Sequence, residues 1–214
     1  MITPSNATSP GSAMKLLAIA TAIAAALVLA LSAGSPEPAG AAPDPATWQA
    51  PEQGGGYANG QVTHSSGLMF WLTGLRAKEV TCRMISPDSA VDMYNAATVV
   101  FENGALGTVS GAATLPDGVK FQVDIRIFGS EGILLVDVER ERVEVRRHDG
   151  KNQSLEIPAN AGDYDCDTPP NRFVELIQGH GSNDSPGEVA ARSVEMITAM
   201  FRSAAQGGQP AQVA

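Results

Sequence analysis

Short apolar runs alternate with turn dipeptides between Val99 and Ile157, and this pattern limits the fold more than any other feature. Asn103-Gly104, a pair favoured by type I′ turns, separates two such runs, and Asp149-Gly150 ends a later one. Between them, apolar residues alternate with polar ones, as in a strand with one buried face, at Phe121, Val123, Ile125 and Ile127. Strands joined by short turns pair antiparallel. The sequence therefore predicts an antiparallel sheet with one face packed and the other wet or covered by a partner.

Two helices are predicted after this sheet. Thr168-Pro169-Pro170 is a start signal for the first, which we expect to end at Gly179. The second has capping-box spacing between Ser185 and Glu188, and its stripe is predicted to be core at Ala190, Val194, Ile197, Phe201 and Ala204. The predicted class is α+β: an open, mostly antiparallel sheet with helices packed on one face.

A glycine-rich segment upstream of the sheet leads into a third predicted helix. Three consecutive glycines begin at Gly54 and favour a tight turn that allows close backbone approach. The apolar run that follows stops at Gly74, a typical residue just beyond a helix end. Helical spacing puts His64, Leu68 and Trp71 on one face. A histidine beside an apolar stripe is more often structural than catalytic, yet its side chain titrates near neutral pH.

The segment from Gly54 to Gly74 resembles the GGGxxxDxGxH motif, and its continuation, of the Gfo/Idh/MocA family of NAD(P)-dependent oxidoreductases. His64 falls on the family's histidine, which implies a place beside substrate and nicotinamide and makes it the candidate catalytic residue. The family's aspartate four residues earlier is Gly60 here, and the aspartate often found three residues after the histidine is Gly67. The resemblance covers residues 44–214, the C-terminal half of a usual family member.

The resemblance also implies substrate-binding residues and partners. Asn59, Tyr164 and Arg172 are the candidate substrate-binding residues, and the ligand would be small, polar and sugar-like. Subunit contacts through the open sheet face would make a homo-oligomer, or a separate chain would supply the cofactor domain. NAD(P) is implied as cofactor, but no strand–GxGxxG–helix unit is recognisable, so we expect no cofactor-binding residues in this chain.

The N-terminal residues 1–42 differ from the rest and form a separate region, ahead of a predicted domain at 43–214. An uncharged run from Leu16 to Ala33 follows Lys15, and Ala39-Gly40-Ala41 offers a cleavage site, as in a secretory signal. The run is also about 18 residues long, enough for a membrane anchor, or it is an accidental N-terminus of a truncated gene. Export or anchoring follows if residues 14–33 act as a signal, and a cytoplasmic location otherwise.

Composition excludes several other classes of function. The formal net charge is −9, which argues against a nucleic-acid partner. The two cysteines and three histidines lack metal-ligand spacing, so no metal site is predicted. A disulfide between Cys82 and Cys166 remains open, although buried free thiols are the preferred interpretation.

Two functional hypotheses result. In the first, the chain is the substrate-binding and oligomerisation half of a sugar- or cyclitol-type oxidoreductase, not expected to be catalytic alone. In the second, it is an exported or membrane-anchored module that binds a ligand or assembles with a partner without catalysis.

Overall fold

The computed structural model describes residues 48–116, 119, 122–138, 140–158 and 167–214, which contain three α-helices, a 3-10 turn, a π-helical turn and eight strands. The predicted signal segment, Phe121 and Cys166 lie outside the described residues. The helices are α1 (Thr63–Thr73), α2 (Thr168–Ile177) and α3 (Gly187–Ala205). All strand pairs described below are antiparallel, which confirms the predicted α+β class.

The first sheet has four strands in the order β3-β2-β1-β8. Their bounds are β1 Ala77–Ile85, β2 Tyr94–Phe101, β3 Leu106–Ala112 and β8 Ala211–Gln212. The predicted Asn103-Gly104 hairpin joins β2 to β3, with Gly104 at φ +85°. On the sheet's open face, Thr81, Thr98 and Thr108 lie side by side across three strands. Alternate residues of each strand face away from the core, so this face also carries the exposed Ile85 and Leu106.

The second sheet has the order β4-β5-β6-β7, so the strands form two sheets rather than one. Its strands are β4 Asp124–Gly129, β5 Gly132–Asp137, β6 Arg142–Arg147 and β7 Gln153–Leu155. Ion pairs between exposed side chains, such as Arg126 with Asp124 at 2.8 Å, lie along it. Exposed ion pairs add little stability, so the second sheet is stabilised mainly by the packing of its buried face.

Helix α1 lies between two hydrophobic cores. Its Phe70 is fully buried in the first core, with Val80 and Val99 of the first sheet and Met200 of α3. Leu68 belongs to the second core, where Trp71 also packs. The shared face of Leu68 and Trp71 is as predicted, and α1 thereby connects both sheets.

Helix α3 corrects two sequence expectations. Its buried stripe runs through Ser193, Met196, Ile197, Met200 and Ser203, whereas Ala190 and Val194 are exposed. Ser203 is buried because its hydroxyl accepts the Cys82 N–H at 2.8 Å and donates to the Gln209 carbonyl at 2.6 Å. The predicted capping box is wrong too, since no side chain caps the start of α3.

Cys82 is a buried free thiol, as predicted. Burial raises the pKa of the thiol to about 11, which makes it a poor nucleophile.

Among the described residues, no helix combines the length and apolar character needed to span a bilayer.

Candidate functional site

The glycine segment forms the tight loop that its sequence predicts. Gly54 and Gly56 have φ values of +80° and +106°, which side-chain-bearing residues rarely adopt. A side chain on Gly55 would collide with the backbone carbonyls of Trp48 and Ala50. The loop therefore depends on glycine for both its conformation and its close packing.

A π-helical turn, Ala58–Val62, connects this loop to α1. Its start is tied to the loop before β2, because the Asp92 carbonyl accepts the Tyr57 N–H and Asp92 Oδ2 accepts the Ala58 N–H, both at 3.0 Å. A carboxylate at a helix N-terminus satisfies amides that have no partner inside the helix. Single π-helical turns inside helices are frequent at functional sites.

His64 is the second residue of α1 and is half-buried. Its imidazole makes no hydrogen bond to any other side chain or backbone group that the structure describes. Burial lowers its pKa below the usual 6.5, because the charged form loses hydration. A neutral imidazole of this kind can accept a proton from a ligand hydroxyl.

The lowered pKa of His64 predicts a pH-dependent stability. The unfolded chain takes up a proton at the ordinary imidazole pKa, whereas folded His64 takes it up only at lower pH. Between these two values the unfolded state binds more protons, so the free energy of unfolding falls as the pH is lowered. Thermal unfolding of His64→Gln should show less of this acid loss, whereas His180→Gln, in an exposed loop, should retain all of it. Equal acid loss in the wild type and His64→Gln would contradict the assignment.

Two of the three predicted substrate-binding residues, Asn59 and Arg172, lie in the described part of the chain. Asn59 lies in the π-helical turn, and its side-chain amide donates to the Gly55 carbonyl at 3.2 Å. Arg172 is exposed on α2 and pairs with Glu175 of the same helix at 3.0 Å. Tyr164 lies outside the described residues. Their roles in substrate binding stay predictions.

The position of the family's aspartate, Gly60, is covered by an aromatic ring. A Cβ on Gly60 would overlap Cζ3 of Trp48 and lie 3.2 Å from its Cε3. The Trp48 ring thus packs against the helix backbone at Gly60, the position where the family motif has its aspartate side chain. Trp48 is still 51% exposed, so part of the ring remains available to a ligand.

Substitutions at two glycines of this segment should separate the effect of Trp48 from helix propensity. A Cβ on Gly67 in α1 would lie 3.6 Å from Ser193 Oγ, an ordinary contact, so Gly67→Ala should stabilise the protein by about 0.5–1 kcal/mol. Gly60→Ala should lose that gain because it displaces Trp48. In a Trp48→Ala background, Gly60→Ala should regain it, as chemical denaturation would measure. Equal effects of Gly60→Ala in both backgrounds would contradict the contact.

A cavity of about 1060 Å³ lies beside this segment. Tyr57 and Gln61 line one side, and the loop before β2 lines another with Asp88 and Asp92. Residues 110–113 at the end of β3 close it further. Burial raises the pKa of Tyr57; a hydrogen bond with the Ala112 backbone opposes this, and the negative Asp92 adds to it. The cavity combines apolar walls with a few polar groups, as ligand sites do.

Sequence reasoning missed these cavity residues and found only the neighbouring histidine. Gln61 precedes His64 by three residues, which places both on the same side of the helix, although His64 does not line the cavity. Asp92 could not be recognised from sequence because its contact with the helix spans 34 residues of the chain. Its only local signal is an aspartate next to a valine just before a strand, a combination too common to indicate a ligand site. No group of acidic, histidine or cysteine side chains among the described residues could hold a metal ion.

The chain belongs to the GFO/IDH/MocA C-terminal domain family, whose model matches residues 26–135. This confirms the resemblance drawn from the glycine and histidine motif, and relates the chain to the C-terminal domain of NAD-dependent oxidoreductases. Among curated proteins, none matches the chain.

Solved structures share the fold. An oxidoreductase domain protein from Kribbella flavida has a TM-score of 0.63 and 20% identity over 92% of this chain and 64% of its own. An NAD binding oxidoreductase from Klebsiella pneumoniae has a TM-score of 0.57 and 23% identity, covering 76% of this chain and 51% of its own. The WlbA dehydrogenase from Bordetella pertussis, in complex with NADH and UDP-GlcNAcA, has a TM-score of 0.53 and 17% identity, covering 75% and 46%. The chain thus spans about half to two thirds of the length of these relatives.

Proposed function

We propose that this chain is the substrate-binding half of an NAD(P)-dependent oxidoreductase that acts on a sugar-like or cyclitol-like alcohol. The observation that carries the proposal is the cavity whose wall includes Gln61, one turn before His64 on the same side of the helix. A ligand hydroxyl held by Gln61 would lie on the side of the helix that also carries His64, whose neutral imidazole can move a proton during alcohol oxidation. His64 is then the acid/base residue and Gln61 a substrate-binding residue.

The described residues fit the substrate side of this reaction and not the phosphate side of a dinucleotide. Dinucleotide binding uses a parallel βαβ unit with a glycine-rich turn at a helix N-terminus, whereas every strand pair described here is antiparallel. We therefore assign cofactor binding to another domain or chain and derive no step through the cofactor.

Self-association is the second part of the proposal. The open face of the first sheet presents a row of threonines at Thr81, Thr98 and Thr108, flanked by the exposed Leu106 and Ile85. Aligned small and β-branched side chains make a flat surface that a second copy can cover. Sedimentation equilibrium should show an oligomer that a Thr98→Arg substitution dissociates. An oligomer unaffected by that substitution would place the contact elsewhere.

Calorimetric titration of the full chain with D-glucose and with myo-inositol tests the ligand site. Saturable binding is expected with at least one of them, and Gln61→Ala should weaken it by about two- to tenfold, the value of one hydrogen bond. Gln178→Ala, at the C-terminal end of α2 and not among the residues that line the cavity, is the matched control and should change nothing. Absence of binding from folded protein, or equal loss in both variants, would contradict the proposed site.

The alternative is a non-enzymatic exported or anchored module, and the apolar run Leu16–Ala33 favours it. Intact mass of the protein from its own cells separates the two. Cleavage near Ala41 would indicate export and support the non-enzymatic module, because nicotinamide cofactors are scarce outside the cytoplasm. An intact N-terminus in the soluble fraction would support the oxidoreductase half.

A further inference from the structure

We propose that the cavity beside α1 prefers a ligand that carries a protonated amine as well as hydroxyl groups. The inference rests on the proposed function, since it takes the same cavity as the ligand site, and it adds the charge of the ligand. It is carried by the charged groups, the buried carboxylate and the exposed aromatic ring in the cavity wall.

The wall is negative and has no positive counterpart among the described residues. Asp88 and Asp92 line the cavity, while no lysine, arginine or histidine is among the described residues that do so. Neither carboxylate forms an ion pair with any described residue. Two uncompensated negative charges attract a cation and repel a phosphate or carboxylate, more strongly in a concave site than on an open surface.

Asp92 is the stronger of the two charges because it is only 5% exposed. Its Oδ2 accepts hydrogen bonds from neutral groups, the Ala58 N–H and the Asn95 side-chain amide. Its Oδ1 has no partner within the described structure, and it lies against the backbone of Gly56, another residue of the cavity wall. The helix N-terminus at Ala58 offsets part of this charge, but a buried carboxylate oxygen without a donor still favours a cation nearby.

Trp48 adds a surface suited to the same ligand. Trp48 lines the cavity and is about half exposed, and its ring packs against the backbone at Gly60. An ammonium group is attracted to the face of an indole ring, and the attraction adds to that of nearby carboxylates. Tyr57, also in the wall, supplies a hydroxyl-bearing ring. Hydroxyls of the ligand would meet the polar rim at Gln61, Ser89 and Ser110.

This preference distinguishes the chain from the relative described above with a bound UDP-sugar. UDP-GlcNAcA, the ligand of the Bordetella pertussis dehydrogenase, carries phosphate and carboxylate groups. A ligand of that charge would face Asp88 and Asp92 without a compensating cation from the described wall.

Calorimetric titration with three acyclic polyols tests the inference on the full chain. Glucamine, sorbitol and gluconate share a hydroxylated carbon skeleton and are positive, neutral and negative at neutral pH. Glucamine should bind tightest, by about tenfold or more over gluconate at low salt, and the preference should shrink as salt screens the charges. Asp88→Asn and Asp92→Asn should each reduce it; the asparagine retains an oxygen that can accept the Ala58 N–H, so the helix start is kept.

Glu102→Gln, which removes a negative charge at the exposed hairpin turn, is the control and should leave the preference unchanged. Equal or tighter binding of sorbitol or gluconate would overturn the charge inference and leave the cavity as the ligand site. A preference that survives both aspartate substitutions, or that Glu102→Gln reduces equally, would overturn it as well. If none of the three polyols binds, and D-glucose and myo-inositol do not bind either, both this inference and the proposed function are overturned.

Discussion

Replacing Phe70 with alanine is expected to destabilise the protein by about 3–5 kcal/mol, the range for a buried phenylalanine. Phe70 is fully buried and meets Phe101 in an edge-to-face contact with ring centroids 6.5 Å apart. It anchors α1 to the first sheet, so its loss leaves a cavity under the helix that carries His64. Urea denaturation followed by circular dichroism would measure the change.

Phe128→Ala is the matched control for this substitution. Phe128 is 73% exposed on β4, and its replacement should change the free energy of unfolding by less than about 0.5 kcal/mol. Similar losses at both positions would show that Phe70 is not the core residue described here.

Gly132→Ala should be nearly as damaging, with a loss of about 2–5 kcal/mol from strain and overlap together. Gly132 has a φ of +155°, and a Cβ there would overlap the backbone carbonyl oxygen of Arg146 on the next strand. Backbone atoms of a paired strand move only if the ladder between β5 and β6 is disturbed. The second sheet, which packs on α1 through Leu68, should therefore loosen.

Gly129, which pairs with Gly132 in the hairpin between β4 and β5, provides the control. A Cβ on Gly129 would have its nearest neighbour 3.9 Å away, so Gly129→Ala should be tolerated. Thermal unfolding of both variants distinguishes the two positions. Equal tolerance would mean that Gly132 can accept a side chain and that the register of β5 with β6 differs from the one described.

The sheet region was predictable because its signals are local. Asn103-Gly104 marks a hairpin in which Gly104 alone of the pair takes the left-handed conformation, at φ +85°, so the turn is not type I′. Gly74 ends α1 in the left-handed region at φ +66°. Neither feature depends on distant parts of the chain, so the sequence is enough to find them. The separation into two sheets was not predictable, since it depends on which strands meet α1.

Helix α3 shows where reasoning from apolar spacing fails. Its buried face includes Ser193 and Ser203, which do not count as apolar in a periodicity argument. Ser203 is buried because the Cys82 N–H and the Gln209 carbonyl satisfy its hydroxyl, contacts that only the folded structure supplies. The predicted stripe was therefore rotated, with Val194 placed in the core although it is 57% exposed.

The candidate site was predictable only in part for a similar reason. His64 was found through its motif, whereas the cavity next to it depends on Asp92 and residues 110–113, which reach the helix through long-range contacts. Trp48 above Gly60 could not have been anticipated, because a missing side chain says nothing about what fills its place.

The central claim is that His64 lies beside the bound substrate, and the imidazole resonances of the full chain test it most directly. Nuclear magnetic resonance would follow the ring protons of His64 and His180 during titration with D-glucose and, separately, with myo-inositol. We expect whichever of the two ligands binds to shift the His64 signals and to leave those of His180, in its exposed loop, in place. Shifts of backbone amides around the cavity with His64 unmoved would contradict the claim, and would leave a binding module without the reaction site.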